Sequence, residues 1–304
     1  MQGEDRLTIG VVCSRGVGPE RGGRSRNEDN YLVCRGNEAR YRNGEIEAVE
    51  PLQCYGTLVA VADGMGGHED GDLASSAAVR AMARIFKRGL PDDPETALHK
   101  FVMDAHRRLH AKVSELGPVR MGTTLTTCWI LDGKATWCHV GDSRMYLYRE
   151  GLIRQVTSDH TRAEFARRDG RRSESDGPFL AQNFVYGSRG FGDDNGIRID
   201  AGTDTGVLQL RAGDRLLLCS DGLTGVVEEH RIASALRETP EPQACATSLM
   251  ERALASGSDD NVTVVVVRVD QPMAAGRQEP EDIFDLIGQD RELPPDDDTL
   301  VPFE

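Results

Sequence analysis

The sequence has no long apolar run and no recognisable export signal. An apolar stretch such as Val262–Val267 is short and contains Thr263, whereas a helix that crosses a bilayer needs about 20 apolar residues. The first residues, Met1–Arg6, carry acids where a secretory signal has a basic start and an apolar stretch. We therefore expect no membrane span and no secretion by that route, and we expect the protein in the cytoplasm.

The sequence also lacks an excess of positive charge. Lys and Arg number 36 against 50 Asp and Glu, which gives a formal net charge of −14. A nucleic-acid backbone is repelled by such a chain unless a basic face is segregated from the rest, and no such face is evident. We predict that the protein does not bind nucleic acid.

Paired cysteines are missing as well. The seven cysteines stand at long, unequal spacings, and no C-x-x-C pair for zinc or redox chemistry occurs among them. Several lie inside apolar runs, for example Cys219 after three leucines. We interpret the cysteines as small buried side chains in a reducing compartment.

Periodicity predicts a mixture of strands and helices. Short apolar or β-branched runs bounded by Gly and charged residues predict strands, at Leu7–Val12, Tyr31–Cys34, Thr57–Ala62, Leu216–Cys219 and Val262–Val269. Apolar residues at three- and four-residue spacings predict helices, from Leu73 to Ile85, from Leu98 to Val113, around Ile232–Leu236 and around Leu249–Leu254. Between them, residues 123–156 are typical of an antiparallel meander with turns at Asp132-Gly133 and near Gly151. Grouped helices with antiparallel strands indicate an α+β sandwich.

Three stretches stand apart from this pattern. Residues 36–54 are interpreted as a polar insertion, and residues 161–203 as a Gly- and Arg-rich flap. Residues 271–304 hold ten acids against two arginines, net −8, and we expect them to form a disordered, solvated tail. The predicted organisation is thus a catalytic domain over residues 1–270 and a tail over 271–304. A competing hypothesis is that the tail contacts the arginines of residues 162–172.

Acidic residues recur beside glycine at the ends of predicted strands. They are Asp63-Gly64, Gly141-Asp142, Asp221-Gly222 and Asp259-Asp260. A single Asp-Gly is more often a turn, which is our interpretation of Asp132-Gly133. Apolar strands, however, bring the other acids to one core edge, where clustered carboxylates repel unless cations bind. Oxygen ligands favour hard ions, so the pattern predicts Mg²⁺ or Mn²⁺, with two ions plausible.

Six short blocks resemble the ordered motif series of the protein phosphatase 2C family, and the form of the second is closest to bacterial members. The blocks are Arg24-Ser25-Arg26-Asn27-Glu28-Asp29, Asp63-Gly64-Met65-Gly66-Gly67-His68, Gly122-Thr123-Thr124-Leu125, Gly141-Asp142-Ser143-Arg144, Ser220-Asp221-Gly222 and Asp260-Asn261-Val262-Thr263. Each block alone is a weak signal, but six in the family's order make the resemblance specific. The resemblance spans residues 7–269 and implies a four-layer α-β-β-α sandwich of two antiparallel sheets flanked by helices.

The resemblance also implies a role for each matching residue. Asp63 would bridge two metal ions, the Gly64 carbonyl would bind one of them, and Asp221 and Asp260 would bind the other. Asp142, with Asp221, would hold a third ion. Glu28 and Asp29 would order water, and Arg24 would bind the substrate phosphate, for which a planar guanidinium is suited, with Arg26 as the second candidate. We interpret Gly122-Thr123-Thr124 as hydrogen bonding near the site rather than a phosphate cradle.

One position departs from the family pattern. Animal members have a histidine where this chain has Met65, and that histidine is proposed to protonate the leaving oxygen. Methionine cannot donate a proton. The proton must come from another group, with a water on the third ion or His68 as candidates, although a loop histidine more often makes local hydrogen bonds.

The function that the resemblance implies is a metal-dependent phosphatase of phosphoserine and phosphothreonine in proteins, with a water or hydroxide that bridges two Mn²⁺ or Mg²⁺ ions as the nucleophile. Its expected partners are phosphorylated proteins and an opposing Ser/Thr protein kinase, and we expect a monomer. Two alternatives stay open: a phosphoprotein-binding module without turnover, and a phosphatase of other phosphate esters. Retention of Asp63, Asp221 and Asp260 counts against the first alternative.

Overall fold

The computed structural model describes residues 6–65, 70–88, 91–115, 122–160 and 203–271. The strands within these ranges are β1 (Arg6–Ser14), β2 (Asn30–Arg35), β3 (Glu38–Asn43), β4 (Ile46–Pro51), β5 (Thr57–Ala62), β6 (Gly64–Met65), β7 (Gly122–Thr123), β8 (Leu125–Leu131), β9 (Lys134–Val140), β10 (Arg144–Arg149), β11 (Leu152–Gln155), β12 (Asp204–Gln209), β13 (Arg215–Cys219) and β14 (Val262–Gln271). The helices are α1 (Asp70–Met82), α2 (Pro94–Glu115), α3 (Asp221–Thr224), α4 (Glu229–Glu238) and α5 (Pro242–Ala255), with 3₁₀ turns at Pro19–Arg21 and Ala83–Arg88.

Two antiparallel sheets form the middle of the molecule. The larger sheet has the order β12-β9-β8-β5-β2-β3-β4, and the smaller has the order β1-β14-β13-β10-β11. β5 is buried along its whole length and β14 along most of its length, which fits their continuous apolar sequences. β6 and β7 form a separate two-stranded ribbon.

Helices cover the outer face of each sheet. Met82 of α1 and Leu98 of α2 pack with Leu32 and Leu58 on the larger sheet. Ile232 of α4 and Leu249 of α5 pack with Leu217 and Val266 on the smaller sheet. The inner faces meet each other, because β5 contacts both β13 and β14. The predicted four-layer α-β-β-α sandwich is confirmed.

The prediction that residues 123–156 form one continuous antiparallel meander is wrong. Both of its hairpins are present, since β8 pairs with β9 and β10 pairs with β11. The first hairpin, however, belongs to the larger sheet and the second to the smaller. The chain crosses between the sheets at Gly141, whose φ of 115° is not accessible to most residues. The turn predicted at Asp132-Gly133 is confirmed, with φ of 50° and 73°.

The stretch interpreted as a polar insertion is a β-hairpin. β3 pairs with β2 and β4 pairs with β3, so the hairpin extends the edge of the larger sheet. Its polar sequence is tolerated because β4 is exposed along most of its length, and because the buried arginine of β3, Arg42, finds hydrogen-bond partners. β12, which follows the stretch interpreted as a flap, was also missed by the sequence patterns.

Several predictions fall outside the described residues. The flap lies outside them except for Thr203, and the tail lies outside them except for Gln271. The boundary at residue 270 stays a prediction, as does contact between the tail and the arginines of residues 162–172. Among the described residues, no helix is long and apolar enough to cross a membrane.

Candidate active site

The strand order brings the predicted site residues to one end of both sheets. In the larger sheet Asn30 pairs with Ala62, so Asp29 before β2 and Asp63 after β5 lie at the same end. In the smaller sheet Asp221 follows β13, and Asp260 precedes β14, the neighbouring antiparallel strand. Asp142 precedes β10, whose Arg144 pairs with Cys219 at the end of β13. Five aspartates from both sheets therefore face one region.

The carboxylates of this cluster are close enough to oppose each other's ionisation. Burial raises the pKa of Asp63 well above its usual value, and the charges of Asp29, Asp221, Asp142 and Asp260 raise it further. Burial and then Asp260 raise the pKa of Asp221, whose side chain is in hydrogen-bond contact with Asp63. Asp63 is thus the centre of the cluster, as its predicted bridging role requires.

Two further aspartates of the cluster also have raised pKa values. Burial raises the pKa of Asp142 to about 7, with the charges of Asp221 and Asp159 adding to the effect. Burial also raises the pKa of Asp29 to about 7, although a 2.7 Å hydrogen bond from the Ser220 hydroxyl favours its charged form. Both groups hold protons in the native protein that they release more readily in an unfolded chain.

The backbone at Asp63 is fixed by two threonines. The Asp63 N–H donates to Thr124 Oγ1 at 2.9 Å, and the Asp63 carbonyl accepts from the Thr124 N–H at 2.8 Å and from Thr123 Oγ1 at 2.9 Å. The Thr124 hydroxyl also lies 2.7 Å from Ser143 Oγ, next to Asp142. The predicted hydrogen-bonding role of Gly122-Thr123-Thr124 is confirmed, and this block connects Asp63 with the Asp142 turn.

Gly64 lies where no side chain fits. A Cβ at this position would stand 2.1 Å from the Gly71 carbonyl oxygen and 2.5 Å from that of Glu28. The backbone of Gly64 therefore lies in direct contact with the backbones of Glu28 and of Gly71 at the start of α1. Glycine at 64 is required by this close approach.

Asn261 joins the first and last motif blocks. Its side-chain oxygen accepts from the Glu28 N–H at 2.8 Å, and its amide group donates to the carbonyls of Arg15 at 3.0 Å and Arg26 at 2.9 Å. Its own N–H donates to Asp260 Oδ1 at 2.8 Å. Asn261 therefore fixes Glu28 relative to Asp260, a role that the sequence patterns did not assign.

Two other positioning residues were missed by the sequence patterns. Ser220 donates to Asp29 and accepts from the Thr263 N–H at 3.0 Å, which links the two sheets at the site. Arg42, from the edge hairpin, donates to the carbonyls of Asp29 at 2.7 Å and Asn27 at 2.6 Å. The Ser220-Asp221 block was a usable signal for Ser220, whereas nothing in the sequence near Arg42 points to the site.

His160 holds the turn that carries Asp142. Its backbone N–H donates to the Gly141 carbonyl at 2.7 Å, and its Nδ1 accepts from the Gly141 N–H at 3.2 Å. Its Nε2 lies 3.3 Å from Asp204 at the start of β12. The imidazole is fully buried and contacts the His139 ring at 4.7 Å between centroids. We identify His160 as a positioning residue that sequence reasoning missed.

Arg24 lies at the rim of the cluster. Its Nη2 donates to Asp260 Oδ2 at 2.8 Å, and the side chains are 54% and 31% exposed. Its N–H donates to the Asp259 carbonyl at 3.1 Å, which fixes its backbone. The ion pair is open to solvent and therefore contributes little to stability. Arg24 is near the acids that the sequence assigns to metal, with a guanidinium that can exchange one anionic partner for another.

The donor chemistry of the cluster fits divalent cations. All candidate ligands are oxygens, and burial with mutual repulsion leaves them with uncompensated charge that a hard cation neutralises. Asp221 Oδ1 is buried and, within the described part of the chain, has no hydrogen-bond partner. Among the described residues, no group of three or more His, Cys, Asp or Glu side chains is arranged to hold a metal ion. The fit thus depends on the orphaned oxygen and the oxygen-only donor set.

Of the two residues considered for protonation of the leaving oxygen, Met65 and His68, the structure describes Met65. Met65 lies on β6 and pairs with Gly122 of β7, directly after the Asp63-Gly64 junction. His68 lies outside the described residues, and its role stays a prediction.

Comparison with known proteins shows that this chain is similar to protein phosphatases. A sequence profile for protein phosphatase 2C matches residues 52–256. The serine/threonine phosphatase stp of Listeria monocytogenes is 33% identical over 219 residues, which are 70% of this chain and 84% of that protein. The matched profile range includes Asp63, Asp142 and Asp221, whereas Arg24, Glu28, Asp29 and Asp260 lie outside it.

Solved structures show the same likeness. The crystal structure of the Mycobacterium tuberculosis serine/threonine phosphatase PstP/Ppp has a TM-score of 0.67 at 30% identity and covers 87% of this chain and 99% of that chain. The catalytic domain of PstP in complex with two manganese ions has a TM-score of 0.65 at 32% identity and the same coverage.

Proposed function

This chain belongs to the protein phosphatase 2C family, and we propose that it is a metal-dependent phosphatase that hydrolyses phosphoserine and phosphothreonine in proteins. The observation that carries the proposal is the position of Asp63, a half-buried residue whose carboxylate is opposed by four other aspartates from two sheets. Relatives described as serine/threonine phosphatases, one of them solved with two manganese ions, support it.

Residues of this chain would hold two divalent cations, Mn²⁺ or Mg²⁺. Asp63 would bind both, with the Gly64 carbonyl, Asp221 and Asp260 completing the protein ligands. Asp142, with Asp221, would bind a third ion. When bound, the cations would activate water for attack on phosphorus and would offset the negative charge that develops on the phosphate oxygens.

The protein's own groups position the reactants. Arg24 binds the phosphate when its guanidinium leaves Asp260, since a phosphate dianion is the stronger partner for a planar donor. Glu28 and Asp29 accept hydrogen bonds from water at the site, and Asn261 and Ser220 hold them in place. Met65 offers no proton, so the serine or threonine oxygen takes its proton from another donor.

The proposal also extends to the substrates, the opposing enzyme and the cellular location of the protein. We infer phosphorylated proteins as substrates and a Ser/Thr protein kinase as the opposing enzyme, because the relatives are described as serine/threonine phosphatases. We place the chain in the cytoplasm as a monomer, on the basis of its acidic composition and short apolar runs.

The experiment that tests the function is release of phosphate from a phosphothreonine peptide. After removal of metal with a chelator, turnover should vanish, and it should return on addition of Mn²⁺. Asp221→Asn should abolish most of the turnover, whereas Asp132→Asn, the same change at an exposed turn far from the cluster, should not. Binding of the peptide without turnover in the wild-type protein would favour a binding module instead. Turnover of small esters but not of the peptide would favour another substrate.

A further inference from the structure

Two of the seven cysteines lie side by side. Cys34 lies on β2 and is fully buried, whereas Cys54 lies between β4 and β5 and is partly exposed. The side chains of Cys34 and Cys54 are in hydrogen-bond contact with each other. The pair was not visible in the sequence, because the two residues are 20 positions apart and form no spacing motif.

The backbone fixes Cys54 against the turn that follows Cys34. The Cys54 N–H donates to the Gly36 carbonyl at 2.8 Å, and the Leu52 N–H donates to the Asn37 carbonyl at 3.0 Å. Cys54 Sγ also lies 3.4 Å from the Glu38 carbonyl oxygen, next to Ala39, the residue that pairs with Cys34. Both cysteines pack at the margin of the core between the larger sheet and its helices. The contact is therefore part of the fold.

The two thiols differ in their access to solvent and in their acidity. The hydrogen bond to Cys54, together with burial, raises the pKa of Cys34, and the same bond lowers the pKa of Cys54. The more acidic thiol is thus the exposed one, and thiolate character with exposure determines where an oxidant reacts. Cys128 offers a contrast, since it is fully buried and burial raises its pKa.

We propose that Cys34 and Cys54 form a reversible intramolecular disulfide when the protein meets hydrogen peroxide. The Cys54 thiolate attacks one peroxide oxygen, the O–O bond breaks, and the hydroxide that leaves takes up a proton to become water. The Cys34 sulfur then attacks the sulfur of the Cys54 sulfenic acid, and the S–O bond breaks. A second water leaves with the Cys34 proton. Two thiols and one peroxide thus give one disulfide and two waters, and a dithiol reductant reverses the reaction.

This site is separate from the aspartate cluster. Asp29 lies before the first residue of β2, and Cys34 is the last but one residue of the same strand. The two ends of a strand of this length are about 15 Å apart. The proposal therefore does not depend on the proposed phosphatase activity.

The test uses the purified full-length chain, reduced and then freed of reductant. After treatment with hydrogen peroxide, free thiols are blocked and the protein is digested without reductant for mass spectrometry. We expect the loss of two thiols per chain and a cross-linked peptide pair that contains Cys34 and Cys54, both reversed by dithiothreitol. Failure to find this pair at peroxide concentrations that oxidise Cys54, or an unreactive Cys54, would overturn the proposal.

Single variants define the role of each thiol. In Cys34→Ser, Cys54 should stop at the sulfenic acid, which dimedone traps. In Cys54→Ser, Cys34 should stay reduced under the same treatment. Cys128→Ser, a matched change at a buried thiol that is not part of the pair, should leave the cross-link unchanged. A cross-link of Cys54 with another cysteine in the wild-type protein, or Cys34 oxidation in Cys54→Ser, would contradict the assignment.

Discussion

Arg24 forms a 2.8 Å ion pair with Asp260, so the residue predicted to bind the substrate phosphate contacts a predicted metal ligand. The contact joins the first motif block to the last, which lies 236 positions away in the sequence. If Arg24 binds phosphate as proposed, phosphate and Asp260 are alternative partners of one guanidinium.

Replacement of Arg24 should therefore separate metal binding from substrate binding. We expect Arg24→Ala to raise KM and to lower kcat, because the proposed role of the guanidinium is to contact phosphate in both ground and transition states. Mn²⁺ affinity should be unchanged or higher, since Asp260 loses a competing cation. Peptide kinetics and calorimetry measure the two effects. Arg26→Ala is the matched control, and a larger effect of Arg26→Ala would show that the motif is aligned wrongly.

Asp142→Ala should slow turnover and leave tight metal binding nearly unchanged. The reason is that Asp142 would bind only a weak third ion, whereas Asp63 and Asp260 would be among the ligands of the other two. Calorimetric titration with Mn²⁺ beside peptide kinetics tests this division. Loss of the tight sites in the variant would contradict it.

The hydrogen bond from the Gly141 N–H to His160 Nδ1 can be tested with two variants of His160 that differ in whether they keep it. Asparagine can place its side-chain oxygen near the position of Nδ1, whereas glutamine reaches the position of Nε2. We expect His160→Asn to keep the bond to the Gly141 N–H and most of the turnover. His160→Gln should leave that N–H unsatisfied, which costs about 1–3 kcal/mol.

The measurement for His160 is the Mn²⁺ concentration that gives half-maximal turnover, together with the melting temperature. His160→Gln should require more Mn²⁺, because the turn that carries Asp142 is displaced. If both variants lose stability equally and need the same Mn²⁺ concentration as the wild type, His160 is a packing residue and does not position Asp142.

The metal-free protein should lose stability as pH rises from about 4 to about 7. Asp29 and Asp142 have pKa values raised to about 7 in the native state, against about 3.9 for an unfolded chain. In this window the native state binds protons that the unfolded state has released, so the free energy of unfolding falls with pH. Below about 4 both states are protonated, and above about 7 the loss levels off.

Denaturant unfolding at several pH values in the presence of a chelator measures this effect. Bound Mn²⁺ should reverse it, because cations bind the deprotonated carboxylates. Asp142→Asn should reduce the slope, whereas Asp132→Asn should not. A metal-free protein that gains stability between pH 5 and pH 7 would show that the cluster is not under electrostatic strain.

The sequence patterns predicted the site residues that lie at the ends of apolar strands. Asp63 follows an apolar strand directly and Asp221 follows one after Ser220, so their placement at one core edge follows from the apolar sequence and burial of those strands. The residues that fix Glu28, Asp260 and the turn before Asp142 were not predictable in this way. Asn261 and His160 act through contacts with residues distant in the sequence, and no local pattern specifies such a contact.

The fold shows the same division between local and long-range information. The limits of β5 were predicted to the residue, because its six residues are all apolar or β-branched and buried. The hairpin of β3 and β4 was missed because an edge position permits a polar sequence without clear alternation. The assignment of the two middle hairpins to different sheets depends on the crossing at Gly141, which periodicity within each hairpin does not reveal.

The central claim is that the cluster around Asp63 holds the cations that drive phosphate hydrolysis. The most direct test is a paired measurement of Mn²⁺ binding by calorimetry and of phosphopeptide hydrolysis for the wild type and Asp63→Asn. We predict loss of tight Mn²⁺ binding and a decrease in kcat of at least about 10²- to 10³-fold, as expected when several kcal/mol of metal stabilisation is removed. Wild-type turnover by Asp63→Asn, or turnover of the wild type after verified removal of metal, would contradict the account.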